Sequence, residues 1–392
     1  MPTYRTFQQH LDPACSPKRI LALDGGGIRG LLTAGMLRRL EDVLRERAGG
    51  DPDFRLSDYF DLIGGTSTGS IIAAGLSLGM SAEEVRNHYF TLGEATFKRS
   101  LFRLGAIRQK YDAKNVENAL KSLFKDRTLA SGDFKTGLMV MSKRMDTGSP
   151  WPLSNNPAAR YFNARPNSTT IPNGEYPLWK VVRASTAAPY FFAPEKISIK
   201  PGDTARGLKG VVGEFVDGGI STANNPSLAM VLMATIQGYN FKWDMGADQL
   251  LVVSLGTGRS NANVGVSEGM AAISLAHAMR ALASIMDDCG DMVETIMQWL
   301  SQSPTARVLD REMGKAEPVM GGAARLSYLR YNVVFEADWF RDNLGLDWPG
   351  DEVAALAAMD KPENMKRLDE VGTAAGAKLI DDMHFPAAFD LR

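Results

Sequence analysis

Three groups of residues in this sequence have types and spacings that could do chemistry. The first is RILALDGGGIRGLLTAGMLRRLE, residues 19 to 41, where an apolar strand pattern meets an acid, three consecutive glycines, an arginine and a fourth glycine before a helical pattern begins. Glycine permits positive φ and close approach of a ligand to the main chain, and the first N–H groups of a helix have no partner within it. Such a turn is an anion site, suited to a phosphate or to the oxyanion of an acyl-transfer intermediate. Gly25, Gly27 and Gly30 also satisfy the dinucleotide fingerprint G-x-G-x-x-G. That fingerprint needs a ribose-binding acid about 20 residues on, at the end of the next strand. Here Glu41, Asp42 and Glu46 fall inside a helical pattern and the next strand, YFDLIG, ends in glycine, which counts against a nucleotide. A bare helix start would need only one or two glycines.

The second group is G-x-S-x-G, which occurs as GTSTG around Ser67, GLSLG around Ser77 and GVSEG around Ser267. A nucleophile elbow works only as a sharp turn from strand to helix that lifts the serine above a sheet. Ser67 has that context, directly between YFDLIG and the helical run SIIAAGLSLGM. Ser77 lies inside the same helical run, where Gly75 and Gly79 suit close helix packing. Ser267 stands past a polar loop and reads as a helix cap.

The third group supplies a base, which a serine hydroxyl requires. Asp217 ends the strand pattern GEFVDGG, and the chain has four histidines, His10, His88, His277 and His384. A Ser-Asp-His order through Asp217 to His277 or His384 would suit a general α/β-hydrolase esterase. A direct dyad, with Asp217 itself as base, is the other arrangement. VDGG is also a common Asp-Gly turn.

The elements that must position these groups alternate. IRGLLTAGMLRRLEDVL, SIIAAGLSLGM, SAEEVRNHYF and PLWKVVRASTAA read as helices, and YFDLIG, TGLMVMSKR, GEFVDGG, QLLVVSLGTG and LSYLRYNVVFE as strands. NNPSLAMVLMATIQGY reads as a helix capped by Asn225 with Pro226 at its first position. This alternation predicts an α/β fold with a mostly parallel central sheet and helices on both faces. Residues 147 to 177, rich in Pro and Asn, read as a long surface loop. Residues 1–18 are expected to be an N-terminal segment and 19–392 a single catalytic domain, its motifs within 19–260 and its part 261–392 packed on them.

With 392 residues, 44% apolar and 23% charged, the chain can bury a sizeable core. Its net charge of −1, from 44 basic and 45 acidic residues, offers no global field for nucleic acid or anionic lipid. The two cysteines, Cys15 and Cys289, make neither a disulfide framework nor a metal knuckle. No segment reaches the ~20 apolar residues that span a bilayer, and the N-terminus lacks a signal-like apolar core, so a cytoplasmic protein is expected.

Five motifs in order, DGGGIRG (24 to 30), GTSTG (65 to 69), RASTAAPYFFAP (183 to 194), VDGG (216 to 219) with NNP (224 to 226), and SLGTG (254 to 258), resemble the patatin-like phospholipases. The resemblance implies a lipid acyl hydrolase of three-layer α/β architecture with a Ser67–Asp217 dyad. The N–H groups of Gly25, Gly26 and Gly27 would form its oxyanion hole, and Arg29 would support the oxyanion or the turn. No metal or cofactor is called for. The implied substrate is a membrane phospholipid or lysophospholipid, and nucleic acid is not an expected partner. FKRSLFRLGAIRQKY, residues 97 to 111, interleaves basic and apolar side chains as an interfacial segment would, although a half-solvated helix has the same pattern. Some bacterial members of the family are membrane-degrading effectors switched on by a signal such as a cyclic nucleotide, so a small-molecule activator stays open.

The elbow argument separates the three serines. Ser67→Ala should abolish ester hydrolysis and fluorophosphonate labelling, and Ser77→Ala and Ser267→Ala should keep most of both. Peptide mapping of the labelled protein checks this, and a tag on Ser77 or Ser267 would refute it.

Overall fold

The computed structural model describes residues 3–97, 113–166, 168–189, 191–202, 209–259, 273–309, 312, 314–316 and 323–391. Its strands are β1 (Lys18–Leu23), β2 (Leu62–Thr66), β3 (Gly137–Arg144), β4 (Ser149–Ser154), β5 (Glu195–Lys200), β6 (Val211–Asp217), β7 (Leu250–Leu255), β8 (Ser301–Gln302) and β9 (Leu326–Tyr331). They form one sheet in the order β5-β6-β3-β2-β1-β7-β9-β8, with β4 also paired to β3. From β3 to β8 every pairing along this order is parallel; β4 and β6 pair antiparallel with β3, and β5 antiparallel with β6.

The main helices are α1 (Gly30–Arg47), α2 (Thr68–Ser77), α3 (Ala82–Phe97), α4 (Ala113–Phe124), α5 (Leu178–Ser185), α6 (Ser227–Thr235), α7 (Ile273–Leu300) and α8 (Met365–Leu379). Successive side chains of a strand point to opposite faces, so a strand covered on both sides must be apolar throughout. In β1, Leu21 and Leu23 join one buried cluster with Leu32, Leu37 and Leu368, and Ile20 and Ala22 join another with Met230, Val293 and Met297. Helices α1 and α8 thus cover one face, and α6 and α7 the other. This is the mostly parallel α/β architecture with helices on both faces.

Several local expectations shift. The second strand covers Leu62–Thr66 rather than residues 59 to 64, because Leu56–Tyr59 forms a helical turn and the strand continues through Gly64 and Gly65. The loop of 147 to 177 contains β4, whose Pro150 and Pro152 are tolerated because only β3 pairs with it. The helix after NNP begins at Ser227, not Pro226, with the Asn225 side chain accepting the Ser227 N–H at 3.1 Å. Strand β5 has no counterpart in the sequence reading. Ser267 and residues 98 to 111 of the basic and apolar segment lie outside the described residues, as does the His277 side chain. Among the described residues no helix is long and apolar enough to cross a membrane.

One buried carboxylate ties the N-terminal segment to the strand that leads to Ser67. Asp61, fully buried just before β2, meets Arg5 at 2.7 Å, His10 Nδ1 at 2.8 Å, Arg19 at 3.6 Å and Lys18 at 4.0 Å. It also accepts the Arg19 N–H at 2.8 Å. Removing one partner of a buried charge cluster leaves the others uncompensated. Asp61→Asn should therefore lower the unfolding free energy by about 3–5 kcal/mol in urea titrations, and a loss under about 1 kcal/mol would show that the cluster is structurally dispensable.

Candidate active site

The turn between β2 and α2 puts Ser67 at φ 52°, ψ −122°, a conformation that a residue with a Cβ rarely adopts. The strain is held by close backbone packing. A Cβ on Gly65 would lie 2.1 Å from the Gly69 carbonyl, and one on Gly69 would lie 2.2 Å from the Leu23 carbonyl oxygen. Only glycine at both positions lets the chain reverse tightly enough against β1 to raise Ser67 above the sheet. The Ser67 N–H donates to Ser185 Oγ at 2.8 Å, and that hydroxyl donates to the Met141 carbonyl at 2.5 Å. Ser185 therefore pins the elbow to β3.

Ser67 and Asp217 share one cavity of about 240 Å³, whose walls include Ile71, Leu92, Val116, Phe192 and Met286. Asp217 ends β6 and is 5% exposed. Its Oδ1 accepts the Gly219 N–H at 2.7 Å, so the Asp-Gly turn is real, and its own N–H donates to the Ala187 carbonyl at 3.1 Å. Burial pushes its carboxyl up to about 6, against the opposing pull of the Ser67 hydroxyl, the Gly219 N–H and the Arg183 guanidinium. Arg183, 1% exposed, donates to the Ala193 carbonyl at 3.1 Å and stacks 5.2 Å over Phe192.

The glycine turn lies beside this pair. Gly26 and Gly27 line the cavity, and their N–H groups have no hydrogen-bond partner among the described residues. Gly25 differs from expectation: its N–H donates to the Asn224 carbonyl at 3.1 Å, which removes it from the available donors. Its carbonyl accepts from Thr257 Oγ1 at 2.7 Å and Asn224 Nδ2 at 3.4 Å. The Gly27 carbonyl accepts from Thr68 Oγ1 at 2.7 Å and from the Tyr89 hydroxyl at 2.6 Å. Gly27 has φ 58°, so a left-handed residue sits at the mouth of the turn. Both ends of the turn are clamped, and its middle faces the cavity.

Arg29 does not line this cavity. It is 4% exposed, lies 5.9 Å over the Phe335 ring, and borders a smaller polar hollow behind the turn with Asp24 and Asp287. The histidines with described side chains are elsewhere: His10 bonds Asp61, His384 Nδ1 meets the Tyr331 hydroxyl at 3.1 Å, and His88 lines a cleft between α3 and α4. Ser77 is buried at the end of α2.

The motifs RASTAAP, NNP and SLGTG give no sign by themselves of what Ser185, Arg183, Asn224 and Thr257 do. Their work is bracing across chain distances that periodicity does not reveal. Asp24 is a further case, held by Arg330 at 2.6 and 2.9 Å directly before the glycines.

A family profile described as patatin-like phospholipase matches residues 21–231. The chain belongs to that family. It is 31% identical over 255 residues to the probable inactive patatin-like protein 9 of Arabidopsis thaliana, covering 62% of this chain and 61% of that protein. It is 31% identical over 220 residues to the cGAMP-activated phospholipase of Vibrio cholerae, covering 53% and 55%. Against Patatin-T5 of Solanum tuberosum it is 28% identical over 261 residues, covering 62% and 61%. The matches thus span between 55% and 61% of these patatin-like relatives.

A Cβ on Gly26 would lie 2.2 Å from Thr257 Oγ1, so a side chain there must displace the turn. Gly26→Ala should lower ester turnover by on the order of 10² or more, chiefly in kcat, because oxyanion donors act in the transition state. Steady-state kinetics on a soluble ester check this, and an unchanged kcat would remove Gly26 from the donor set.

Proposed function

We propose that this chain hydrolyses fatty acyl esters of membrane phospholipids or lysophospholipids through a Ser67–Asp217 dyad. One observation carries the reading: a strained serine and a buried carboxylate of raised pKa share an apolar cavity beside two unpaired glycine N–H groups. Asp217 takes the Ser67 proton as Oγ attacks the ester carbonyl, and the oxygen that gains charge faces the Gly26 and Gly27 N–H groups. Collapse expels the lipid alcohol, which leaves with the proton from Asp217. Asp217 then deprotonates a water that attacks the acyl-Ser67 ester, and passes that proton to Ser67 Oγ as the fatty acid leaves. The apolar walls accept the acyl chain. The substrate arrives from a bilayer or micelle, so peripheral contact with the inner face of the membrane belongs to the same reading.

The name of the Arabidopsis relative raises a second reading, a catalytically silent member of the family. Ser67 and Asp217 in one cavity count against it, and fluorophosphonate labelling separates the two.

The dyad has a kinetic signature. The base is the carboxylate form of Asp217, so kcat/KM should fall as pH drops through about 6, where burial has moved its titration. A histidine base would titrate nearby, at about 6.5, so variants decide. Asp217→Asn should remove nearly all activity, and separate replacements of His88, His277 and His384 should leave a substantial fraction. A histidine variant as inactive as Asp217→Asn, yet folded by circular dichroism, would replace the dyad with a triad.

A further inference from the structure

The catalytic cavity is small for a lipid. Its volume of about 240 Å³ falls below the ~300–1,000 Å³ of sites that enclose a drug-sized ligand, and the ester beside Ser67 takes part of that space. An acyl chain of a membrane lipid spans about half of the ~30 Å hydrocarbon core. How much of such a chain the protein covers depends on what closes the apolar end of the cavity.

That end lies at α3 and α4. Tyr89 and Leu92, three residues apart on α3, and Val116 of α4 line the cavity, and Leu92 and Val116 are 7% and 3% exposed. A second cleft, of about 400 Å³, runs along the same two helices. Its half-buried part is apolar, with Met80, Ala119 and Leu123, and His88, Thr91 and Lys125 at its rim are exposed. Among the described residues Leu92 alone borders both spaces.

The apolar positions of α4 run through the same boundary. Val116 lines the cavity, and Ala119 and Leu123, three and seven residues further on, line the cleft. Residues at this spacing share one helix face. One apolar stripe therefore serves both spaces, with Leu92 of α3 standing between them.

Burying one methylene changes a binding or specificity constant roughly fourfold. The gain accrues only where protein surrounds the chain. Methylenes that would lie beyond Leu92 find no apolar space and add nothing.

We propose that Leu92 determines acyl-length specificity by closing the catalytic cavity against the α3–α4 cleft. Specificity rises with chain length until the chain meets Leu92 and then levels off, and the remaining methylenes of a membrane-length chain stay outside the cavity. This proposal rests on the acyl-ester reading of the Ser67 site.

Two measurements test it on the full chain. The first is kcat/KM for the p-nitrophenyl esters of butyrate, octanoate and palmitate in one detergent. The second, which needs no turnover, is the affinity for octanoate and palmitate by displacement of a fluorescent fatty acid. Both are read as ratios between chain lengths, which cancel any general loss of active protein. In the wild type the octanoate-to-butyrate ratio should be well above one and the palmitate-to-octanoate ratio near one. Leu92→Ala, which joins the two spaces, should raise the palmitate-to-octanoate ratio at least about 10-fold in both measurements. Adding Ala119→Phe, which fills the cleft, should return that ratio toward wild type. Leu92→Phe should lower the octanoate-to-butyrate ratio at least about fourfold, and it keeps the test open if Leu92→Ala fails to fold.

A wild-type ratio that climbs as steeply from octanoate to palmitate as from butyrate to octanoate would overturn the proposal, as would ratios that neither Leu92 variant moves. A ratio that Ala119→Phe does not return would remove the cleft as the space gained. Affinity ratios that shift as expected in a wild type that hydrolyses no ester would overturn the hydrolase reading and leave Leu92 as the limit of an acyl pocket.

Discussion

Everything at the candidate site depends on one steric constraint, the contact between the backbones of Gly65 and Gly69. It permits the chain to leave β2 and enter α2 within a single residue, and that residue is Ser67 in a left-handed conformation. A turn this tight is unfavourable alone and persists because its surroundings over-determine it. Ser185 holds its N–H from β3, and Leu23 of β1 presses on Gly69 from the other side. The central strands therefore do more than form a core. Their parallel order brings the ends of β1, β2 and β3 to one edge, where the elbow, the glycine turn and the Ser185 brace meet.

The electrostatics follow from the same burial. Asp217 is enclosed with only a hydroxyl, one N–H and a distant guanidinium to offset the loss of water, so its proton is held more tightly than in solution. A base with a pKa nearer neutrality is better matched to a serine proton than an ordinary aspartate. The acids elsewhere are treated differently. Asp24 has a bidentate partner in Arg330, and Asp61 has three cations and the His10 imidazole around it. The contrast separates Asp24 and Asp61, which brace the scaffold, from Asp217 in the cavity beside Ser67.

The glycine turn shows how a braced segment can present an unsatisfied centre. Asn224, in the loop before α6, and Thr257, just past β7, hold Gly25, and Thr68 and Tyr89 hold Gly27. Between them Gly26 and Gly27 line the cavity, and their N–H groups have no partner among the described residues. Preorganised donors of this kind need no rearrangement as charge develops, which is the condition for strong stabilisation of an oxyanion.

The sequence by itself determined the fold class, put Ser67 between a strand and a helix, and set a glycine-rich turn at the mouth of another helix. These are local signals: an apolar run buried on both faces, a glycine cluster at a helix start, and a serine between strand and helix. Tertiary structure decided what depends on distance across the chain. It took Gly25 out of the donor set by pairing it with Asn224, turned Arg29 toward Phe335 and away from the cavity, and kept His10, His88 and His384 clear of Ser67. It also found β4 within a Pro-rich stretch, because pairing with β3 on one side tolerates missing N–H groups. The raised pKa of Asp217 belongs to the same category. Its identity is written in the chain, but its proton affinity is set by which side chains close over it, and only packing fixes that.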